Sequence, residues 1–238
     1  GHQHPIFLIA GPDTLESQEL AMEVAGHIKE LTDKLGILYV FKGSFDKANR
    51  TSHKSYRGPG IEGGLKMIQT PAFLCRQTNF MQNVARTGRP INVKKGQFMS
   101  PWEMGNVIEK MTAVAEPNFM LCERGFTFGY NNLVADMRGL AIMRKFAPVV
   151  FDSTHTVQLP GGQGTASGGM REMIPVLARS AVGAGVSGLF METHPRPDEA
   201  LCDGPNSLPL KMIGELLETL VELDQVVKKS GLLETQLS

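Results

Sequence analysis

Short apolar runs alternate with longer helical periods along this chain, and nearly every run is followed at once by an ionisable residue. The runs fall at residues 6–10, 39–41, 90–93, 119–122, 148–151 and 188–191. Between them lie helical periods, of which residues 16–34 place Leu20, Val24, Ile28 and Leu31 on one face. Others run at about 78–87 and 209–229. Strands alternating with helices predict parallel pairing through right-handed crossovers. Asp13 follows the first run, Lys42 the second, Lys94 and Lys95 a later one, and then Glu123 and Arg124. Asp152 and His155 follow the next, and Glu192 and His194 the last. An open doubly wound sheet gathers ligands at one switch point, whereas a barrel presents every strand end to one mouth. Ionisable groups after nearly every strand therefore predict an α/β chain folded as a (β/α)8 TIM barrel. No linker or composition shift interrupts the pattern, so residues 1–238 read as a single barrel domain.

Composition narrows the function classes. Of 238 residues, 24 are Lys or Arg and 24 Asp or Glu, so the chain lacks the basic excess of a general nucleic-acid binder. A 42% hydrophobic content excludes disorder. The apolar stretch near the start is too short to span a bilayer. Cys75, Cys122 and Cys202 show no metal or disulfide spacing, which makes the cytoplasm the expected location. Neither a GxGxxG nor a Walker pattern is present.

Three residue sets could carry chemistry. Lys42, Lys47, Asn49, Arg50 and Ser52, followed by Tyr56 and Arg57, cluster after the second run. Cations, hydroxyls and an amide in one loop suit a phosphate and a carboxylate, though short basic clusters are often only solvated. Arg76, Lys94 and Arg124 lie near other strand ends, giving at least six cations on one face of a neutral chain. That predicts a cationic pocket for two anionic groups. His155, Glu192 and Asp203 could bind a divalent metal, relay protons, or simply make structural hydrogen bonds. His194 reads as structural, and Trp102 and the methionines as packing. The glycine-rich segment at 159–169 reads as a loop, either a lid or a plain turn.

Several long words then carry a family resemblance. Ser44-Phe45-Asp46-Lys47-Ala48-Asn49-Arg50-Thr51-Ser52, Pro71-Ala72-Phe73-Leu74-Cys75-Arg76-Gln77-Thr78 and Asn92-Val93-Lys94-Lys95-Gly96-Gln97-Phe98 closely resemble the 3-deoxy-D-manno-octulosonate 8-phosphate synthase family. So do Cys122-Glu123-Arg124-Gly125 and Cys202-Asp203-Gly204-Pro205, in order and over essentially the whole chain. The resemblance implies a transferase that condenses phosphoenolpyruvate with D-arabinose 5-phosphate and water, giving the eight-carbon phosphorylated sugar acid and phosphate for lipopolysaccharide biosynthesis. It implies catalytic roles for Lys47, Lys94, Arg124, His155 and Asp203. Substrate binding falls to Lys42, Asn49, Arg50, Ser52, Gln69 and Arg76, the last supplied by a neighbouring subunit of a homotetramer. Two alternatives remain: a related synthase using erythrose 4-phosphate, and an inactive phosphosugar-binding or assembly protein.

The chain departs from that family twice. Metal-dependent members place Cys, and metal-independent members Asn, where this chain has Asp13. The word around Asp203 resembles the metal-independent branch, so no cofactor is expected. The alternative is a divalent cation of the manganese, zinc or iron class on Asp13, His155, Glu192 and Asp203. Second, Met67 runs straight into Ile68-Gln69, where the family has roughly thirty further residues, about one strand–helix unit of a closed barrel. That unit would bring an Asp and a His of a Thr-Asp-Val-His-Glu word near the sugar. The intact flanking words favour a segment missing from the sequence over a true deletion; an intact mass near 26.0 kDa would establish the deletion.

Overall fold

The computed structural model describes residues 4–44, 67–161 and 168–237. Seven parallel strands form one curled sheet: β1 (Phe7–Gly11), β2 (Tyr39–Phe41), β3 (Ile68–Thr70), β4 (Ile91–Lys94), β5 (Phe119–Glu123), β6 (Val149–Asp152) and β7 (Gly188–His194). Helices α1 (Gln18–Leu35), α2 (Thr78–Ala85), α3 (Glu103–Thr112), α4 (Met137–Met143), α5 (Ile174–Gly183) and α6 (Ile213–Ser230) cover its outside. The spatial order is β2-β1-β7-β6-β5-β4-β3, and a short pairing of Leu208–Pro209 extends β7. This is the expected barrel architecture with one interruption. β2 pairs only with β1, and β3 only with β4, so among the described residues no ladder joins β2 to β3. The strand at Ile68–Thr70 was not among the apolar runs, because Ile68 is its one large apolar residue.

Alternation along each strand sorts side chains into two shells. Leu8, Ala10, Val93, Leu121, Phe151, Leu189 and Met191 join the large core between sheet and helices. Ile9, Cys122, Val150 and Phe190 form a separate inner cluster, with Phe7, Val40, Met67 and Met120 against it. All residues of β4, β6 and β7 are buried, as strands covered on both faces must be.

Local signals account for the helices. α1 starts where the Ser17 side chain accepts the Leu20 N–H and stops at Gly36, whose φ of 66° suits a residue without Cβ. Val24 and Ile28 of the expected face are buried, and Leu20 and Leu31 pack beside the core. Trp102 contradicts its expected packing role: it is 65% exposed, because it precedes α3 instead of lying on its buried face, which Met104, Val107 and Met111 fill.

Candidate active site at the strand ends

The same period of two that builds the inner cluster delivers the reactive side chains. Two residues beyond inward Val40 stands Lys42, and beyond Asn92 stands Lys94. Cys122 is likewise followed by Arg124, Val150 by Asp152 and Phe190 by Glu192. Parallel registers align these ends: Gly11 is level with Glu192, and Lys94 with Cys122. Gly11 is required there, since a Cβ would sit 1.9 Å from the Lys42 carbonyl oxygen.

The charges interlock. Lys42 Nζ lies 2.5 Å from Glu192 Oε1 and 3.4 Å from Asp13 Oδ1, and donates to the Asp13 carbonyl at 2.9 Å. Lys94 Nζ pairs with Asp152 and sits 3.5 Å from the centroid of the Phe190 ring. His155 Nδ1 is 2.8 Å from Asp152 Oδ2, an ion-pair distance without hydrogen-bond alignment. On the other side of that ring, Nε2 is 3.7 Å from Glu192 Oε2 and 3.9 Å from Asp203 Oδ2. Arg124 is buried; its Nη2 donates to Gln158 Oε1 at 3.0 Å, while its Nη1 has no hydrogen-bond partner among the described residues. Burial pushes the Arg124 pKa down, against the pull of Asp152 and Glu123.

Asp13, His155, Glu192 and Asp203 each offer a ligand atom within 4.8 Å of the others. Asp203 reaches this group from a left-handed backbone (φ 46°), in a loop where Gly204 packs so closely that a Cβ would stand 2.3 Å from the Pro197 carbonyl oxygen. Three carboxylates and an imidazole are a donor set for a hard or borderline divalent cation. Lys42 places an ammonium against two of those carboxylates.

The structure thus brings together Lys42, Lys94, Arg124, His155, Asp203, Asp13 and Glu192. Gln69 lies on β3, where its Oε1 accepts from Asn92 Nδ2 at 2.9 Å. Arg76 is exposed beyond the end of β3, outside this cluster. Lys47, Asn49, Arg50 and Ser52 lie outside the described residues, as does most of the glycine-rich loop. That loop leaves and returns as an antiparallel pair, Gln158–Leu159 against Gly168–Gly169. His194 is structural as expected: its Nδ1 accepts the Arg196 N–H at 3.0 Å.

One expectation needs correction. The described part of the pocket is not strongly cationic: Lys42, Lys94 and Arg124 stand among Asp13, Asp152, Glu192 and Asp203. Buried ammonium groups need counter-charges, and the strand ends supply them.

Asp152, which sequence reasoning left without a role, is the hub. It is fully buried; Oδ1 accepts the Thr154 and His155 N–H groups at 3.1 and 2.9 Å, while Oδ2 meets Lys94 and His155. The legible signal was its place two residues past inward Val150. Burial alone would raise its pKa, but the charges of His155 and Lys94 overcome this and hold it well below the usual value of 3.8. A depressed carboxylate stabilises the fold above its unfolded pKa, and the contribution disappears as pH falls through the folded one. Asp152→Asn is expected to cost about 3–5 kcal/mol near neutral pH by leaving Lys94 unpaired. In urea melts, the gap to the parent protein should shrink as the pH is lowered from about 7 to about 3; a constant gap would refute the assignment.

The model of the DAHP synthetase I family matches residues 1–70 and 65–229. The chain is 58% identical to the 2-dehydro-3-deoxyphosphooctonate aldolase of Alkalilimnicola ehrlichii, with 98% of this chain and 96% of that protein aligned. It is 56% identical to the aldolase of that name from Methylococcus capsulatus, covering 98% and 94%. The first alignment spans 266 positions, yet 98% of 238 residues is about 233, so about 33 positions have no counterpart here. The family match breaks in two at residues 65–70, beside the open edge of β3.

Proposed function

The chain belongs to the DAHP synthetase I family, and from that premise we propose how its strand ends join phosphoenolpyruvate to D-arabinose 5-phosphate. Its activity is that of a 2-dehydro-3-deoxyphosphooctonate aldolase, a carbon–carbon bond-forming enzyme. The observation that carries the mechanistic reading is Arg124: a buried guanidinium with a donor that no described residue uses, at the end of the strand paired with that of Lys94. An anionic substrate oxygen supplies the missing acceptor.

In this reading phosphoenolpyruvate occupies the space between Arg124, Lys94 and His155, with Lys42 nearby and Lys47 completing the set. Its C3 attacks the sugar aldehyde while positive charge builds at C2. Water adds at C2, and the resulting hemiketal phosphate collapses by C–O cleavage, releasing phosphate. Lys94 and Arg124 stabilise the anionic oxygens before and after attack, and the strand ends fix the orientation of the reactants. His155, held by Asp152 on one side and facing Asp203 on the other, is placed to move a proton to or from the adding water. Asn49, Arg50 and Ser52 hold the sugar phosphate. Arg76 reaches that end from a neighbouring subunit of a homotetramer. Its exposure, together with that of Phe73 and Leu74 beside it, supports an intersubunit role. The product feeds lipopolysaccharide biosynthesis in the cytoplasm; among the described residues no helix is long and apolar enough to cross a membrane.

The reaction is proposed to run without a resident metal, because Lys42 already places a positive charge against Glu192 at 2.5 Å and Asp13 at 3.4 Å, where a cation would otherwise stand. A bound divalent cation would sit on Asp13, His155, Glu192 and Asp203 and would supply Lewis-acid polarisation. Phosphate release from the two substrates is expected to persist in EDTA. A rate abolished by chelator and restored by Mn²⁺ or Zn²⁺ would overturn the metal-free reading. Turnover with erythrose 4-phosphate in place of the pentose would overturn the substrate assignment. Ligand-induced thermal stabilisation without any phosphate release would mean an inactive sugar-phosphate binder.

A further inference from the structure

Directly behind the two inward cations, on the opposite face of the same chain segments, lies a second buried ion pair that no step above uses. Lys95 follows Lys94 and Glu123 precedes Arg124, so alternation turns both away from the pocket. Lys95 is 1% exposed, one of the largest fully buried side chains among the described residues. Its Nζ is held by no short bond. It lies among four oxygens: the Gly96 and Met99 carbonyls at 3.3 Å, the Gly125 carbonyl at 3.4 Å, and Glu123 Oε1 at 3.4 Å. Glu123 Oε1 in turn accepts the backbone N–H of Arg124 at 3.0 Å and of Gly125 at 2.8 Å.

The two loops joined here are the ones that carry the substrate cations. Gly96 and Met99 belong to the loop after Lys94, and Gly125 to the turn after Arg124, where φ is +92°. That turn packs against Leu133 and Thr156 on one flank, and just beyond it the Thr127 N–H donates to the Gln97 carbonyl of the loop after β4 at 2.9 Å. A cavity of about 230 Å³ lies against Lys95 and Glu123, and its far wall is formed by the exposed rings of Phe126 and Phe128. With a cavity beside it, the Arg124 backbone depends on the polar cage for its side-chain restraint: Glu123 binds its N–H directly, and Lys95 ties Glu123 to the loop after β4.

We propose that Lys95 and Glu123 are positioning residues for phosphoenolpyruvate: they tie the loop after β4 to the turn after β5 and so set the spacing of Lys94 and Arg124. The pair touches no substrate. This assignment rests on the function proposed above, in which Lys94 and Arg124 face phosphoenolpyruvate and other residues face the sugar. It therefore predicts an asymmetry that a purely structural pair would not produce. Loosening the cage moves the two cations relative to each other and weakens one substrate selectively.

The test uses Lys95→Met and the double variant Lys95→Met/Glu123→Gln. The single variant leaves Glu123 buried without its counter-charge and can lose stability on that account alone; the double variant leaves no unpaired charge. In the double variant KM for phosphoenolpyruvate is expected to rise roughly 10- to 100-fold. KM for arabinose 5-phosphate should stay within about twofold, and the melting profile should remain cooperative. Calorimetric binding of phosphoenolpyruvate alone, without turnover, should weaken by a similar factor. A folded double variant with parental affinity for phosphoenolpyruvate overturns the proposal, as does an equal rise in both KM values. If the parent protein released no phosphate, the functional reading would fail, while the calorimetric comparison would still decide the role of the pair.

Discussion

Lys94→Met is expected to lower kcat/KM for phosphoenolpyruvate by roughly 10³-fold, with most of the loss in kcat. Methionine keeps the length and apolar stem of the side chain, so the change isolates the ammonium. That ammonium is placed by a four-residue strand buried along its whole length, rests on the Phe190 ring, and is paired with Asp152. A charge so confined cannot be replaced by a neighbouring side chain or by bulk water, and charge developing on the substrate oxygens would meet no compensating group. Arg124→Met provides the contrast. Its guanidinium has one nitrogen committed to Gln158 and another open to ligand, so its loss should raise KM more than it lowers kcat. Initial rates of phosphate release at saturating pentose phosphate separate the two patterns. A Lys94→Met protein that folds and retains turnover within about tenfold of the parent would remove Lys94 from the chemistry.

How much of this was legible follows from what the residues do along a strand. The alternation of apolar runs and helical periods was enough for the parallel sheet, because β1 and β4 to β7 are buried on both faces and read as near-continuous hydrophobic stretches. β3 escaped because Ile68-Gln69-Thr70 has no apolar run, and only its pairing with β4 makes it a strand. Lys42, Lys94, Arg124 and Glu192 were visible as ionisable residues just past strand ends. Their partners were not. Asp152 reads in sequence as one more polar residue at a strand end, and only the sheet register brings it to Lys94, which lies 58 positions away. Lys95 looked like a twin of Lys94, yet one residue of strand reverses its direction and changes its role. In the described part of the pocket the expected cationic character is offset for the same reason: counting positive residues on one face says nothing of the carboxylates that adjacent strands bring level with them.

Inserting between Met67 and Ile68 the roughly thirty residues that relatives carry there is expected to raise the melting temperature by about 10 °C and lower KM for the pentose phosphate at least about tenfold. The sheet itself supports this. β2 and β3 are end strands of a curled sheet whose other five members are paired on both sides, and the partly buried Val40 and Met67 flank the interruption from inside. A strand fitted there would supply ladder hydrogen bonds to both edges, and its inward side chains would complete the layer formed by Ile9, Cys122, Val150 and Phe190. Its helix would cover the outer face. A gain of a few kcal/mol corresponds to a shift of this size in a domain of 150–250 residues. The affinity change has a separate cause: the family resemblance implies that the inserted unit carries an Asp and a His at a strand end, on the side proposed for the sugar. Thermal melts and steady-state kinetics of parent and insertion variants read the two effects independently. A higher melting temperature with unchanged KM would confine the unit to closing the barrel. A melting temperature that stays level or falls would mean that the parent chain already satisfies the edges of β2 and β3, and that the interruption between them is not the weak point of the fold.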